Sequence, residues 1–463
     1  MVIYLSALLL FLSPVQWLPV IPSILLGILG VFGLLRFRSI PDKTVYILIL
    51  VNYLYWIASL ILANGVEIVF TDPNFIRWQL RGFSGFLPLL AWATFDKTVS
   101  RGTTKYLTWS LIVPATLLAL VGICVYVFGY KPKEFADIDL QLSPVRDVFG
   151  EKWFFGFHRS RVATGGFYLS VTVMTASLLF FWKTRPSILT LIYAAFFVNL
   201  WAMIYSRARV FVVAYFASIV VILLFSFILR KKLSLKKTSL ATLYTVMSMA
   251  LIFSTAPGFI ERFTSLIESS SHKTASITSQ KSDAQGNKTA PVTSQKTGAQ
   301  ENKEERHNII SRFNVSDRFI YWNAAIKMVL EHPLFGIGMG KFPEEFVKQG
   351  YTLNITPQNK QRMHVHNSYL HIATELGVFG ISLFLGLWIL IIMKLLKSLT
   401  FLQQNSFEFA FLTGVLAIIA GHAVAALADY NFWSPSQMFP VATLSGIALR
   451  LCGAASKPVI DKT

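Results

Sequence analysis

Long apolar runs separated by short polar breaks recur along the chain, most of them near the roughly 20 residues that a helix needs to cross a bilayer. Read by hydropathy they predict about twelve transmembrane helices, near 2–18, 20–35, 44–63, 80–95, 106–128, 164–182, 187–205, 210–229, 238–256, 368–393, 407–427 and 437–453. Pro14, Pro19 and Pro22 lie in or between the first two, which also read as one re-entrant pair. The predicted fold class is an all-α polytopic integral membrane protein. Residues 1–256 carry helices 1–9, residues 257–367 form a large loop, and residues 368–463 carry helices 10–12 and a tail. The first run has no basic start and no small-residue cleavage site, so it reads as a retained helix.

Composition agrees: 54% hydrophobic and 14% charged residues over 463 positions exclude a soluble globular domain. The net charge is +19, and its basic clusters fall in every second loop: Arg36, Arg38 and Lys43; Lys97, Arg101 and Lys105; Lys183 and Arg185; Arg230 to Lys237; Lys394 and Lys397; and the tail. By the positive-inside rule that side is cytoplasmic and holds both termini. Topology thus accounts for much of the charge, and no nucleic-acid partner is called for. Cys124 and Cys452 fall inside apolar runs and read as small core residues.

The loop 257–367 lies on the opposite side and is the largest polar segment. Within it, 269–305 is rich in Ser, Thr, Lys, Gln and Asn, a composition that predicts a disordered insertion. Its duplication, Thr278–Lys288 against Thr293–Lys303, reads as slippage. Ser316-Asp317 then predicts a helix start, with Phe319, Trp322, Ile326 and Val329 as the apolar stripe facing the bundle and Pro333 as the stop. The glycines in Pro333-Leu-Phe-Gly336-Ile-Gly338-Met-Gly340 suggest close packing, since no strand precedes them to make a nucleotide-binding loop.

Candidate chemistry concentrates at Met363-His-Val-His-Asn-Ser-Tyr-Leu370, where a polar cluster opens an apolar run. A neutral imidazole takes a proton from a hydroxyl near neutral pH, so His364 or His366 is a candidate base. Two other readings stand beside this one. A histidine here can cap the following helix, and His364, His366, His371 and Glu375 can be drawn as zinc ligands, although no HExxH pattern or cysteine set is present. Arg207 and Arg209 sit in a short outer connection against the topological bias, and Arg318 opens the loop helix on the same side. An arginine fork suits phosphate oxygens, so these three, with Arg81 as a weaker fourth, form a candidate diphosphate cradle. Lipid-headgroup snorkelling is the alternative.

Arg318-x3-Trp322, Pro333-x2-Gly336-x-Gly338-x3-Phe342 and His366-Asn367-x-Tyr369-Leu370-x4-Glu375-Leu376-Gly377-x2-Gly380 resemble the signature of the bacterial O-antigen ligase and polymerase superfamily. The Ser206-Arg207 turn resembles that family's other marked arginine. The resemblance implies a GT-C-like bundle in the bacterial inner membrane with one large periplasmic loop carrying short helices. It also implies an inverting glycosyl transfer at the periplasmic face that needs no metal or other cofactor, from an undecaprenyl diphosphate-linked glycan. On it, His366 is the base with His364 second, and Asn367 orients the imidazole or the acceptor, or caps the helix. Arg207, Arg318, Arg209 and Arg81 hold the diphosphate, with Asp429 and Tyr369 in support. Within the family the reading favours a ligase that uses a lipid A core hydroxyl, because only one outer loop is large. A polymerase is the alternative, encouraged by the basic loop 130–164; a protein O-oligosaccharyltransferase and a lipid-linked glycan transporter come after it. A transporter would place ionisable residues mid-bilayer, and the predicted spans hold essentially none.

Overall fold

The computed structural model describes residues 1–15, 20–32, 40, 42–65, 84–95, 99–128, 145–148, 151–156, 158, 160–228, 250, 318–351 and 363–455, with backbone alone at 127–128, 145–148, 151–153 and 453–455. They fall almost wholly in one compact unit, 1–233 with 318–463; the other unit, 234–317, lies outside the described residues apart from position 250. The ninth predicted span, the insertion 269–305 and Arg81 are therefore outside the description.

Helices dominate. They are α1 (Val2–Leu12), α2 (Val20–Phe32), α3 (Lys43–Asn64), α4 (Leu87–Thr94), α5 (Arg101–Phe128), α6 (Arg161–Phe181), α7 (Pro186–Tyr205), α8 (Arg209–Ile228), α9 (318–331), α10 (Phe342–Lys348), α11 (Ser368–Leu399), α12 (Phe407–Ala425) and α13 (Pro435–Ala455). A two-stranded antiparallel hairpin, β1 (Val145–Val148) with β2 (Glu151–Phe154), is an element that the hydropathy pattern did not predict. Phe154 ends it buried against Tyr168 and Trp201.

Among the described residues seven helices are long and apolar enough to span a membrane: α3, α5, α6, α7, α8, α11 and α12. The protein is thus an all-α polytopic membrane protein. Helices α1, α2 and α4 occupy three more predicted positions but have 11, 13 and 8 residues. At about 1.5 Å per residue the described stretches are shorter than a bilayer core of roughly 30 Å. They pack on one another, with Leu9, Leu26 and Ala91 meeting Phe439 of α13, and the Trp92 indole donating to Ser6 Oγ at 3.0 Å.

The centre is α6, whose most apolar window is 89% buried. Ser160 caps it, accepting from the Ala163 N–H at 3.1 Å. Small and hydroxyl side chains bring its neighbours close, as expected where helices associate without water to expel. Ser177 donates to the Ala410 carbonyl of α12 at 2.7 Å, Ser218 of α8 donates to Ala417 of α12 at 2.8 Å, and Asn199 of α7 donates to Thr116 of α5 at 2.8 Å. Ion pairs Lys394–Asp42 at 2.8 Å and Arg101–Glu408 at 3.2 Å lie at one end of the bundle. The opposite end gathers the start of α6, the α7–α8 turn, α9, the start of α11 and the α12–α13 connection.

Two loop expectations fare differently. The helix α9 exists, but its packed face is Ala324, Ala325 and Met328 against Phe342, Phe346 and Val365. Phe319 and Ile326, predicted to face the bundle, are exposed. Two adjacent alanines let the helix approach phenylalanine rings more closely than the larger stripe would allow, and that decides its rotation. Close packing by the glycine segment holds, as the next subsection describes.

Candidate active site

Helix α11 starts where Asn367, in extended backbone, accepts the Leu370 N–H on its side-chain oxygen at 3.0 Å. Asn367 is therefore a cap. Ser368 fixes that end to the α12–α13 connection: its N–H donates to the Ala426 carbonyl at 2.8 Å, and its hydroxyl lies 2.9 Å from the Asp429 carbonyl and 3.1 Å from Asn431 Oδ1. The Tyr369 hydroxyl donates to the Ala423 carbonyl of α12 at 2.9 Å, which makes it a fastener between two helices.

Immediately before the cap, His366 has φ 56°, and Arg207 has φ 53°; among the described residues these are the two non-glycine positions with left-handed backbone. Such backbone costs about 1–3 kcal/mol in bulky residues and concentrates at functional sites. At His366 the turn aims the peptide N–H at His364 Nδ1, 3.3 Å away, with the two rings 4.1 Å apart. Tyr430 stacks flat on His364 at 4.5 Å and 12°, and its hydroxyl is 3.0 Å from His371 Nε2. His371 Nε2 is in turn 3.4 Å from Glu375 Oε2, and Glu375 Oε1 accepts the Phe342 N–H that opens α10.

Electrostatics keep the two histidines neutral. Loss of water around the ring, then the Arg318 cation, holds His366 down at about 4. Burial first, then His366, His371 and Arg318, holds His364 well below the usual imidazole range. Asp429 moves the other way: burial pushes it up to about 6 against the Tyr430 N–H, Arg318 and Arg161. Its Oδ1 accepts that N–H at 2.8 Å, while Oδ2, in a residue 5% exposed, has no hydrogen-bond partner among the described residues.

Eleven residues into α11 from His366 the helix breaks, with Gly377 at φ 66°. The freed groups are taken by the glycine segment: Ile337 N–H and Gly338 N–H donate to the Thr374 and Glu375 carbonyls at 3.0 Å each, and Val378 N–H and Phe379 N–H donate to Pro333 and Leu334 at 2.8 and 3.3 Å. The Leu376 carbonyl accepts the Tyr55 hydroxyl at 2.8 Å. A Cβ on Gly377 would overlap the Leu334 carbonyl, and one on Gly336 would overlap the Glu375 backbone. The two glycine motifs read from the sequence are thus the two halves of one joint.

Of the predicted residues, the structure brings together His364, His366, Asn367, Asp429 and, through its field on all three ionisable members, Arg318. Arg207 sits in the α7–α8 turn, whose Ser206 and Ala208 lie against α6 at Gly165, at the same end of the bundle. Arg209 opens α8 there. Arg161, one of the basic residues of the loop 130–164, acts on Asp429 from the start of α6; sequence reasoning missed that link and the chain Tyr430–His371–Glu375. The i,i+4 spacing of His371 and Glu375 was legible; their use of Tyr430, 55 residues beyond Glu375, was not.

Fold and site together define a polytopic helical membrane protein with a one-sided polar cluster. Residues 170–385 of this chain, a little under half of it, match the model of the O-antigen ligase family, a stretch that includes Arg207, Arg318, His366 and both halves of the joint. The resemblance read from the motifs is shown over that stretch. A protein of Rickettsia conorii with the provisional name polysaccharide ligase is 25% identical over 124 residues, 26% of this chain. The match spans 28% of that relative's length.

Proposed function

We propose that the protein is an O-antigen ligase of the bacterial inner membrane. It transfers a glycan from undecaprenyl diphosphate to a hydroxyl of lipid A core at the periplasmic face, with inversion and without a metal. The observation that carries this reading is the neutral, left-handed His366 beside Arg318, inside the segment that matches the ligase family.

The geometry favours His366 over His364 as base. A neutral His364 that accepts the His366 N–H on Nδ1 must carry its proton on Nε2, which leaves it no free lone pair. His366 Nδ1 has no hydrogen-bond partner among the described residues. As the acceptor oxygen attacks the anomeric carbon, its proton passes to His366 and the carbon–oxygen bond to diphosphate breaks on the opposite face. Arg318, with Arg207 and Arg209, holds the charge that grows on the leaving diphosphate. The bound diphosphate also offsets the field of Arg318, so the imidazole gains basicity when the donor is in place. Asp429 acts on Arg318 and Arg161 through its charge.

The test is transfer in vitro by purified protein in detergent with EDTA, from an undecaprenyl diphosphate-linked glycan to lipid A core, comparing wild type with His366→Ala. Modified lipid A core from the wild type alone is expected. Lengthened donor chains with untouched core would identify a polymerase, and donor translocation without transfer would identify a transporter.

A further inference from the structure

Helix α9 presents three sectors around its axis. Ala324, Ala325 and Met328 pack inward. Asn323, Lys327 and Glu331 form an exposed polar edge, with Lys327 and Glu331 paired at 3.9 Å. Between the polar edge and the rest lies a third sector, Phe319, Ile326 and Leu330, which is apolar and exposed, Leu330 by 76%. Just past the helix end this sector continues into Leu334 and Phe335, and Phe335 stacks parallel on Phe379 of α11 at 5.3 Å and 3°.

That stack decides the occupant. Phe379 is exposed on a helix apolar enough to span the membrane, so its outer surface faces acyl chains. Leu330 of the α9 edge leads through the exposed Glu331 and His332 to Leu334 and Phe335 beside that surface, while the neighbouring edge carries an ion pair suited to water or headgroups. An apolar sector beside a charged one is the arrangement of a helix lying in the plane of the interface.

We propose that α9 is an interfacial helix whose Phe319–Ile326–Leu330 edge, with Leu334 and Phe335, is seated in the lipid of the leaflet at the site's end of the bundle. The occupant is bilayer acyl chain. The seat holds Arg318, in the first turn of α9, at headgroup height whatever reaction the site performs.

The experiment is nitroxide accessibility on the full chain in phosphatidylethanolamine–phosphatidylglycerol nanodiscs. The exposed Cys124 is replaced by Ala, and single labels are placed at Leu330→Cys, Phe335→Cys and Lys327→Cys. Relaxation by oxygen should exceed relaxation by a water-soluble nickel chelate at 330 and 335, and the order should reverse at 327. Nickel dominance at 330 and 335 would put the edge in water. Exclusion of both agents would mean that protein covers it. Either result overturns the proposal, and two labelled positions guard against one variant that fails to fold.

Discussion

The joint at Gly377, inside α11, and the cluster at His366, just before its cap, are two interruptions of regular structure that treat their polar groups in opposite ways. At the joint, the carbonyls of Thr374, Glu375 and Leu376 and the N–H groups of Val378 and Phe379 all find partners. At the cluster, Asp429 Oδ2, His366 Nδ1 and His371 Nδ1 are buried without a hydrogen-bond partner among the described residues. Buried polar atoms left unmade cost about 1–3 kcal/mol each, so a fold that completes one break and leaves the other open is spending stability at the second. The completed break holds the structure together; on the function proposed above, the open one is where a substrate's polar groups have something to meet.

The largest effect is expected where the completed break is spoiled. Gly377→Ala adds a Cβ at positive φ against the Leu334 carbonyl, two penalties of about 1–3 kcal/mol each. A strongly lowered melting temperature, or no monodisperse protein on size exclusion in detergent, is expected. His366→Ala, by contrast, should melt close to wild type while losing transfer by about 10²-fold or more. Equal melting of the glycine variant and wild type would erase the contrast.

Next comes Arg318→Ala. Transfer should fall on the order of 10²-fold as the leaving diphosphate loses a cation. Arg318 lowers the His366 pKa, so without it that pKa rises, and the acid limb of kcat/KM for the residual activity should move to higher pH. A limb that stays in place would separate the two residues.

Asp429→Asn should act mainly through pH. The folded carboxyl titrates at about 6, above its ordinary value, so between the two the native state binds the extra proton and this group's contribution to stability is lost as pH rises through 6. The variant should therefore gain melting temperature relative to wild type at pH 7.5 compared with pH 4. His366 has the opposite sign, its contribution being present above about 6.5 and lost as pH falls through about 4, and serves as the internal control. The smallest effect belongs to Tyr369→Phe, which removes one hydrogen bond to Ala423, worth about 1 kcal/mol, and should leave transfer unchanged.

How much of this was legible in the sequence follows from the range of each interaction. Spans and short loops are local properties of composition, and α3, α5 to α8, α11 and α12 lie close to where hydropathy puts them. The histidine pair and its cap are also local, because His364, His366 and Asn367 are near neighbours. The rotation of α9 was misread because Phe319 and Ile326 carry the same apolar signal whether they face protein or lipid. Helices α1, α2 and α4 are described over only part of the spans that hydropathy predicts, and their packing on α13 is a long-range property that hydropathy does not carry. Tyr430 on His364, and Arg161 near Asp429, join segments with no pattern in common, so only the fold could pair them.

The joint also bears on the order in which the chain is made. A helix interrupted at Gly377 exposes backbone groups that lipid cannot satisfy, each costing several kcal/mol in hydrocarbon. The segment that satisfies them, Pro333 to Gly338, is synthesised first and lies some 40 residues upstream. The partner segment is therefore already made when α11 emerges, and in the finished protein the bent helix is never left with those groups unpaired.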